Sequence, residues 1–164
     1  MLARSRTGKA KWKVLPAEPP PSIILAVAHY PFHFAFPVRD LASTRAFYGD
    51  LLGCREGRST ETWVDFNFFG NQISAHLGPA GPTGAVGHVD EVEVPIPHTG
   101  AILPWDEFQR LAEKLTAAST RFVIAPMVRY RGRPEEQATM FLLDPSGNAL
   151  ELKAYRDPAA VYHR

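Results

Sequence analysis

Four side chains in this sequence could hold a metal ion and move protons. His33, His76 and His98 each sit in or beside a strand-like run, and Glu151 follows the turn in MFLLDPSGNALELKAY. Imidazole nitrogens with a carboxylate oxygen make a donor set for a divalent cation, so a chain in which the four converge is a metalloenzyme. Glu151 stands between Leu150 and Leu152, where a buried strand needs a cation or a hydrogen-bond network to offset the desolvation of a carboxylate. His29, His88 and His163 occupy leader, Gly-rich and terminal contexts and are expected to be solvated. Cys54 has no second cysteine to pair with and reads as a small buried hydrophobe.

The elements that must position these groups follow from periodicity. Phe32, Phe34 and Phe36 alternate with His33 and Ala35, which predicts a strand whose phenylalanines cover the core and whose His33 faces away. Asp40 is suited to cap a helix over 41–52, with Leu41, Thr44, Phe47, Tyr48 and Leu51 at helical spacing and Gly53 as the stop. A hairpin is expected over 62–77 with Gly70-Asn71 at its turn, Trp63, Asp65 and Asn67 on one face of its first strand and Ser74 and His76 on the same face of its second. Residues 78–97 are dense in glycine and proline and predict a loop with a short edge strand at 92–94.

The pattern then starts again. His98 opens an apolar strand through Leu103, and Trp105, Phe108, Leu111 and Leu115 mark a helix with Asp106 near its start. Strands at 122–124, 138–143 and 149–154 follow, with a polar hairpin over 129–136 whose Arg129 and Arg131 could hold a substrate carboxylate or pair with Glu135 and Glu136. The two halves share the order strand, helix, three strands, an internal repeat of βαβββ modules. It places His33 and His76 on the first and last strands of one half, and His98 and Glu151 on those of the other. Gln137, Thr139 and Phe141 are expected to line the polar face of the second module, as Trp63 and Asn67 do in the first.

With 164 residues, 45% of them hydrophobic, the chain suits one well-buried domain, expected over 31–158 with module 1 at 31–78, a loop at 79–96, module 2 at 97–155 and a tail at 159–164. Residues 1–30 read as a disordered arm, basic and proline-rich. Arg4, Arg6, Lys9, Lys11 and Lys13 face only Glu18 there; of the chain's 18 basic and 17 acidic residues this leaves 13 and 16 for the rest, which offers no basic face to nucleic acid. The apolar run at 23–28 is too short to span a bilayer, and a lone cysteine fits a reducing, cytoplasmic setting.

The stretches HFAFPVRDLASTRAFYGDLLG and FLLDPSGNALELKAY, with the Asp144-Pro145-Ser146-Gly147 turn before Glu151, resemble the vicinal oxygen chelate superfamily of glyoxalases, bleomycin and fosfomycin resistance proteins and extradiol dioxygenases, over residues 32–155. The resemblance is strongest to small extradiol-type dioxygenases. It implies an α+β fold of two βαβββ modules whose mixed sheet curls around a metal cup, and a homodimer. The implied metal ligands are His33, His98 and Glu151, a two-histidine, one-carboxylate set suited to Fe(II), with Mn, Zn or Ni as alternatives. His76 is implied as a fourth ligand or as the acid/base that shuttles a substrate proton. Trp63, Asn67, Arg129, Arg131, Gln137 and Phe141 are the expected substrate-binding residues. The implied substrate is a small molecule that chelates the metal through vicinal oxygens.

Three activities stay open: an oxidoreductase of the dioxygenase kind, a lyase or isomerase of the glyoxalase or epimerase kind, and a binding protein that sequesters a small molecule. The dioxygenase signature has a tyrosine where this chain has Phe141, and an upstream histidine where it has Gly132, Arg133 and Pro134.

Overall fold

A computed structural model describes residues 30–81, 85–89 and 91–162. Except for Tyr30, the expected N-terminal arm lies outside these residues, as do His29 and His163. The unit from Pro31 onward carries two four-stranded sheets and one separate hairpin.

Module 1 begins with β1 (His33–Val38), followed by α1 (Leu41–Arg45) and a π-helical continuation, Ala46–Leu51. Asp40 caps α1 by accepting from the Ser43 amide at 2.6 Å, which fixes where the chain turns from strand to helix. Gly53, at φ 79°, ends the helical segment in a conformation that costs a side-chain-bearing residue dearly. Three strands follow: β2 (Arg55–Ser59), β3 (Trp63–Phe68) and β4 (Asn71–Leu77), in the order β1-β4-β3-β2 with β1 parallel to β4. The β3–β4 turn is Phe69-Gly70 rather than Gly70-Asn71; φ is 50° and 89° at its two residues, the sign pattern of a type I′ hairpin.

The segment expected as a loop with a short edge strand at 92–94 holds a hairpin of β5 (Ala85–Val89) and β6 (Val92–Ile96), which pair only with each other. Module 2 then comprises β7 (Thr99–Ile102), α2 (Trp105–Ala117), β8 (Phe122–Arg129), β9 (Gln137–Leu143) and β10 (Ala149–Tyr155), in the order β7-β10-β9-β8 with β7 parallel to β10. α2 starts one residue before Asp106, with Pro104 in the cap position and Asp106 and Glu107 stabilising its N-terminal dipole. A 3₁₀ turn, Pro158–Tyr162, occupies most of the expected tail.

One face of each sheet packs on its helix, and both halves contribute to a single apolar cluster that includes Val38, Tyr48, Phe66, Ile73, Phe108, Leu115, Met140 and Leu152. In β1 only Phe36 and Val38 are buried; Phe32 and Phe34 are 41% and 39% exposed, so the phenylalanine alternation does not mark a covered face along the whole strand. β1 and β7 each pair on one side only, which leaves both modules with their first strand at a sheet edge.

Candidate functional site

The register of the two sheets decides which residues are equivalent. In module 1, His33 lies opposite Gln72 and Ala35 opposite Ser74; in module 2, Gly100 lies opposite Glu151, so His98, two residues earlier, takes the place of His33. Anchored on the Gly-Asn pairs that precede the two last strands, Gly70-Asn71 and Gly147-Asn148, Glu151 is matched by Ser74 and His76 by Lys153, which corrects the reading of Glu151 as the counterpart of His76.

His98 and Glu151 come together. Nε2 of His98 stands 3.5 Å from Oε2 of Glu151, while Nδ1 of His98 is 2.9 Å from the Pro95 carbonyl oxygen. A carbonyl can only accept, so Nδ1 carries a hydrogen, and Nε2 faces the carboxylate with either a second proton or a lone pair. The Phe141 ring, fully buried, meets the imidazole edge-on at 4.8 Å between centroids and holds its plane. Oε1 of Glu151 accepts from the Thr139 hydroxyl at 2.9 Å and lies 3.2 Å from Nζ of Lys153. Oε2 is left to His98.

Two acceptors facing each other repel unless a cation lies between them, and that cation is either a proton on Nε2 or a metal ion. At 3.5 Å the pair is longer than a charge-assisted hydrogen bond of about 2.8 Å. It is close to the separation of roughly 3 to 3.4 Å between two donors that each lie about 2.1 Å from one ion. The Nδ1–H···O=C bond is also the usual support of a metal-binding imidazole. Donor chemistry and spacing thus fit a divalent ion at this pair, and Lys153 is the one feature that opposes added positive charge.

His33 is held elsewhere by the same device. Its Nδ1 is 3.1 Å from Oε1 of Gln72, whose Nε2 donates to Oδ2 of Asp65 at 3.0 Å, and the Ser74 hydroxyl donates to Oδ1 of Asp65. The buried carboxylate orients the amide, the amide fixes the tautomer, and Nε2 of His33 is left as an acceptor. Arg58 Nη2, 3.6 Å from Asp65, balances the charge. Among the described residues no three His, Cys, Asp or Glu side chains gather in metal-holding range, so His33 is not brought to His98 and Glu151.

The remaining expected residues separate into those on the polar faces and those that are not. His76 is exposed and stacks on Trp63 at 6.1 Å. Asn67 accepts from the Gly70 amide and serves the β3–β4 turn. Gln137 shares the β9 face of Thr139 and Phe141 and is buried, with Oε1 lacking a hydrogen-bond partner. Arg129 lies over the Tyr130 ring at 4.9 Å. Arg131 lines a cavity with Trp105, Phe108 and Ala138, on the opposite face of β9, and so does not address the Glu151 side. Sequence reading passed over Lys153, Thr139 as the Glu151 partner, and Gln72, whose signal was its place on the same strand face as Ser74 and His76.

Comparison with known proteins gives a consistent result. The family model for the Glyoxalase/Bleomycin resistance protein/Dioxygenase superfamily matches residues 31–152. A glyoxalase/bleomycin resistance protein/dioxygenase from Alicyclobacillus acidocaldarius is 31% identical, with 81% of this chain and 96% of that one covered and a TM-score of 0.66. A genomically encoded fosfomycin resistance protein from Listeria monocytogenes is 18% identical over 81% of this chain and 98% of that one, at a TM-score of 0.58. A glyoxalase/dioxygenase from Nostoc punctiforme is 16% identical over 82% and 97%, also at 0.58. These last two show a shared fold. A search of curated proteins found no match.

Proposed function

The chain belongs to the Glyoxalase/Bleomycin resistance protein/Dioxygenase superfamily, and within it we propose a metal-dependent enzyme that acts on a small molecule offering two adjacent oxygens. The observation that carries this reading is the His98–Glu151 pair, in which Nε2 and Oε2 face each other at 3.5 Å while the other polar atom of each side chain, Nδ1 and Oε1, is occupied. A divalent ion there would supply a Lewis acid that lowers the proton affinity of the substrate oxygens. His98 and Glu151 would hold it, with Fe(II) the favoured metal. A homodimer is part of the proposal: His33 sits on an exposed edge strand with its Nε2 free, and a second copy can bring it to the pair.

Protein roles around that centre follow from the contacts. Thr139 fixes the Glu151 carboxylate and Phe141 supplies an apolar wall. Lys153, 3.2 Å from Glu151, can return a proton within one chain, whereas His76 can do so where the face of module 1 meets the substrate. Oxygen-dependent ring cleavage is the finer reading. A lyase or isomerase differs in taking up no oxygen, and an oxygen electrode with catechol-type substrates separates the two.

Elemental analysis of protein purified without added metal tests the centre. Wild type should retain a divalent transition metal, and His98→Ala and Glu151→Ala should lose it by more than the roughly 10- to 100-fold that a merely supporting residue costs. Full retention by both variants would refute the site. One observation favours a metal-free binding protein instead: the Lys153 ammonium already neutralises Glu151. That reading requires small-molecule binding to survive both chelation and Glu151→Ala.

A further inference from the structure

An apolar cavity of about 170 Å³ opens between β1 and the start of β7, lined by Phe34, Phe36, Tyr48, Pro95 and Pro97, with His98 at its border. His98 and Thr99 also border a second cavity of about 160 Å³, whose other walls include Glu151 and Lys153. His98 therefore lies between an aromatic and proline-walled space and a charged one. Tyr48 adds no polarity to the first space, because its hydroxyl is engaged by Asp144 at 3.2 Å.

We propose that the apolar cavity is a binding subsite for a phenyl-sized group, on a ligand whose oxygens point past His98 toward Glu151. Size and lining carry the claim. An enclosed apolar cavity of about 150 Å³ takes up benzene; the space here has a similar volume and is open to solvent, with Phe34 39% exposed at its mouth, so a ring seated there gains by covering apolar surface. Here two phenylalanines, stacked with centroids 5.8 Å apart, offer the ring faces and edges that an aromatic guest packs against. The ligand's orientation rests on the proposed role of His98 and Glu151; its ring site does not.

Fluorobenzene is the probe, because it carries the ring without the oxygens. Titrated against the full chain and followed by fluorine NMR, it should bind saturably and show nuclear Overhauser effects to the Tyr48 and phenylalanine rings. Ala35→Leu, an exposed β1 residue that also lines the cavity, should weaken binding by about tenfold or more through overpacking. Ala149→Leu fills the cavity from the other side and serves if the first variant does not fold. Glu151→Gln should keep fluorobenzene binding whatever it does to metal content, so a failed metal centre and a failed ring site give different results. No saturable binding to wild type, whether because solvent fills the cavity or a second copy covers it, overturns the proposal. So does unchanged binding in both filled variants, or an absence of effects to the Tyr48 ring.

Discussion

At the scale of single residues, chemistry is set by which atom of a side chain is already engaged. His98 and His33 share one arrangement, Nδ1 committed to an oxygen and Nε2 left open, although one oxygen is the Pro95 carbonyl and the other the Gln72 amide. Cys54 shows the opposite outcome. Burial pushes its thiol up to about 12 from an ordinary 9.0, so it is held as the thiol and is no nucleophile at neutral pH. The sign of the linkage is fixed by that direction. The unfolded chain loses the thiol proton near 9 and the folded chain holds it, so the contribution to stability is complete below pH 9 and is lost as pH rises toward 12. Tyr48, raised by burial and then by the nearby Asp144 carboxylate, adds to the same alkaline loss above about pH 10. Thermal unfolding of wild type should therefore fall in midpoint from pH 9 to 11, and Cys54→Ala should flatten that slope while lowering the midpoint at pH 7. An unchanged slope in the variant would show that the thiol does not titrate with folding.

At the scale of elements, the position of Glu151 depends on how closely β7 approaches β10. A Cβ at Gly100 would fall 1.7 Å from the Glu151 carbonyl oxygen, a backbone atom that cannot swing away, so the glycine permits the parallel pairing. Gly100→Ala should cost about 1–3 kcal/mol in denaturant unfolding, the range of overpacked sites, and should separate His98 from Glu151 enough to lower metal retention. Wild-type stability and metal content in this variant would contradict the close approach. The helices and the β3–β4 and β9–β10 hairpins were legible because their apolar residues recur with a clear period and their turns carry Gly70 and Gly147. β2 was not: Arg55–Ser59 is exposed throughout, and only its pairing with β3 makes it a strand. β6 was expected in part, as the edge strand at 92–94, whereas its partner β5 was hidden in the glycine- and proline-dense stretch that edge strands tolerate. The equivalence of Ser74 and Glu151 was available and missed, since each stands four residues after the glycine of a Gly-Asn pair, Gly70-Asn71 and Gly147-Asn148.

At the scale of the whole molecule, the two modules are tied at the Asp144–Asn148 turn. The Ser146 hydroxyl accepts from the Arg39 amide at 2.9 Å, Asn148 donates to the Pro37 carbonyl at 3.0 Å, and the Tyr48 hydroxyl reaches Asp144. These contacts fix the end of β1 against the start of β10, yet His33, at the other end of β1, stays with Gln72 and the pair His98–Glu151 lacks a third donor among the described residues. Periodicity could assign each ligand candidate to a strand but not say whether two strand ends meet, because that depends on how whole modules pack. A dimer that brings His33 of one copy to His98 and Glu151 of another makes a sharp prediction. His33→Ala and Glu151→Ala should each abolish metal retention alone. Mixed after unfolding and refolding together, they should recover part of it, because a heterodimer pairs the intact module 1 of the Glu151 variant with the intact module 2 of the His33 variant. Sites within one chain give no recovery, since every chain in the mixture then carries one broken donor. Metal content of the mixed dimer, isolated by two different affinity tags, reads the result directly, and zero recovery from a well-formed dimer would sink the shared site while leaving the His98–Glu151 pair to be judged on its own variants.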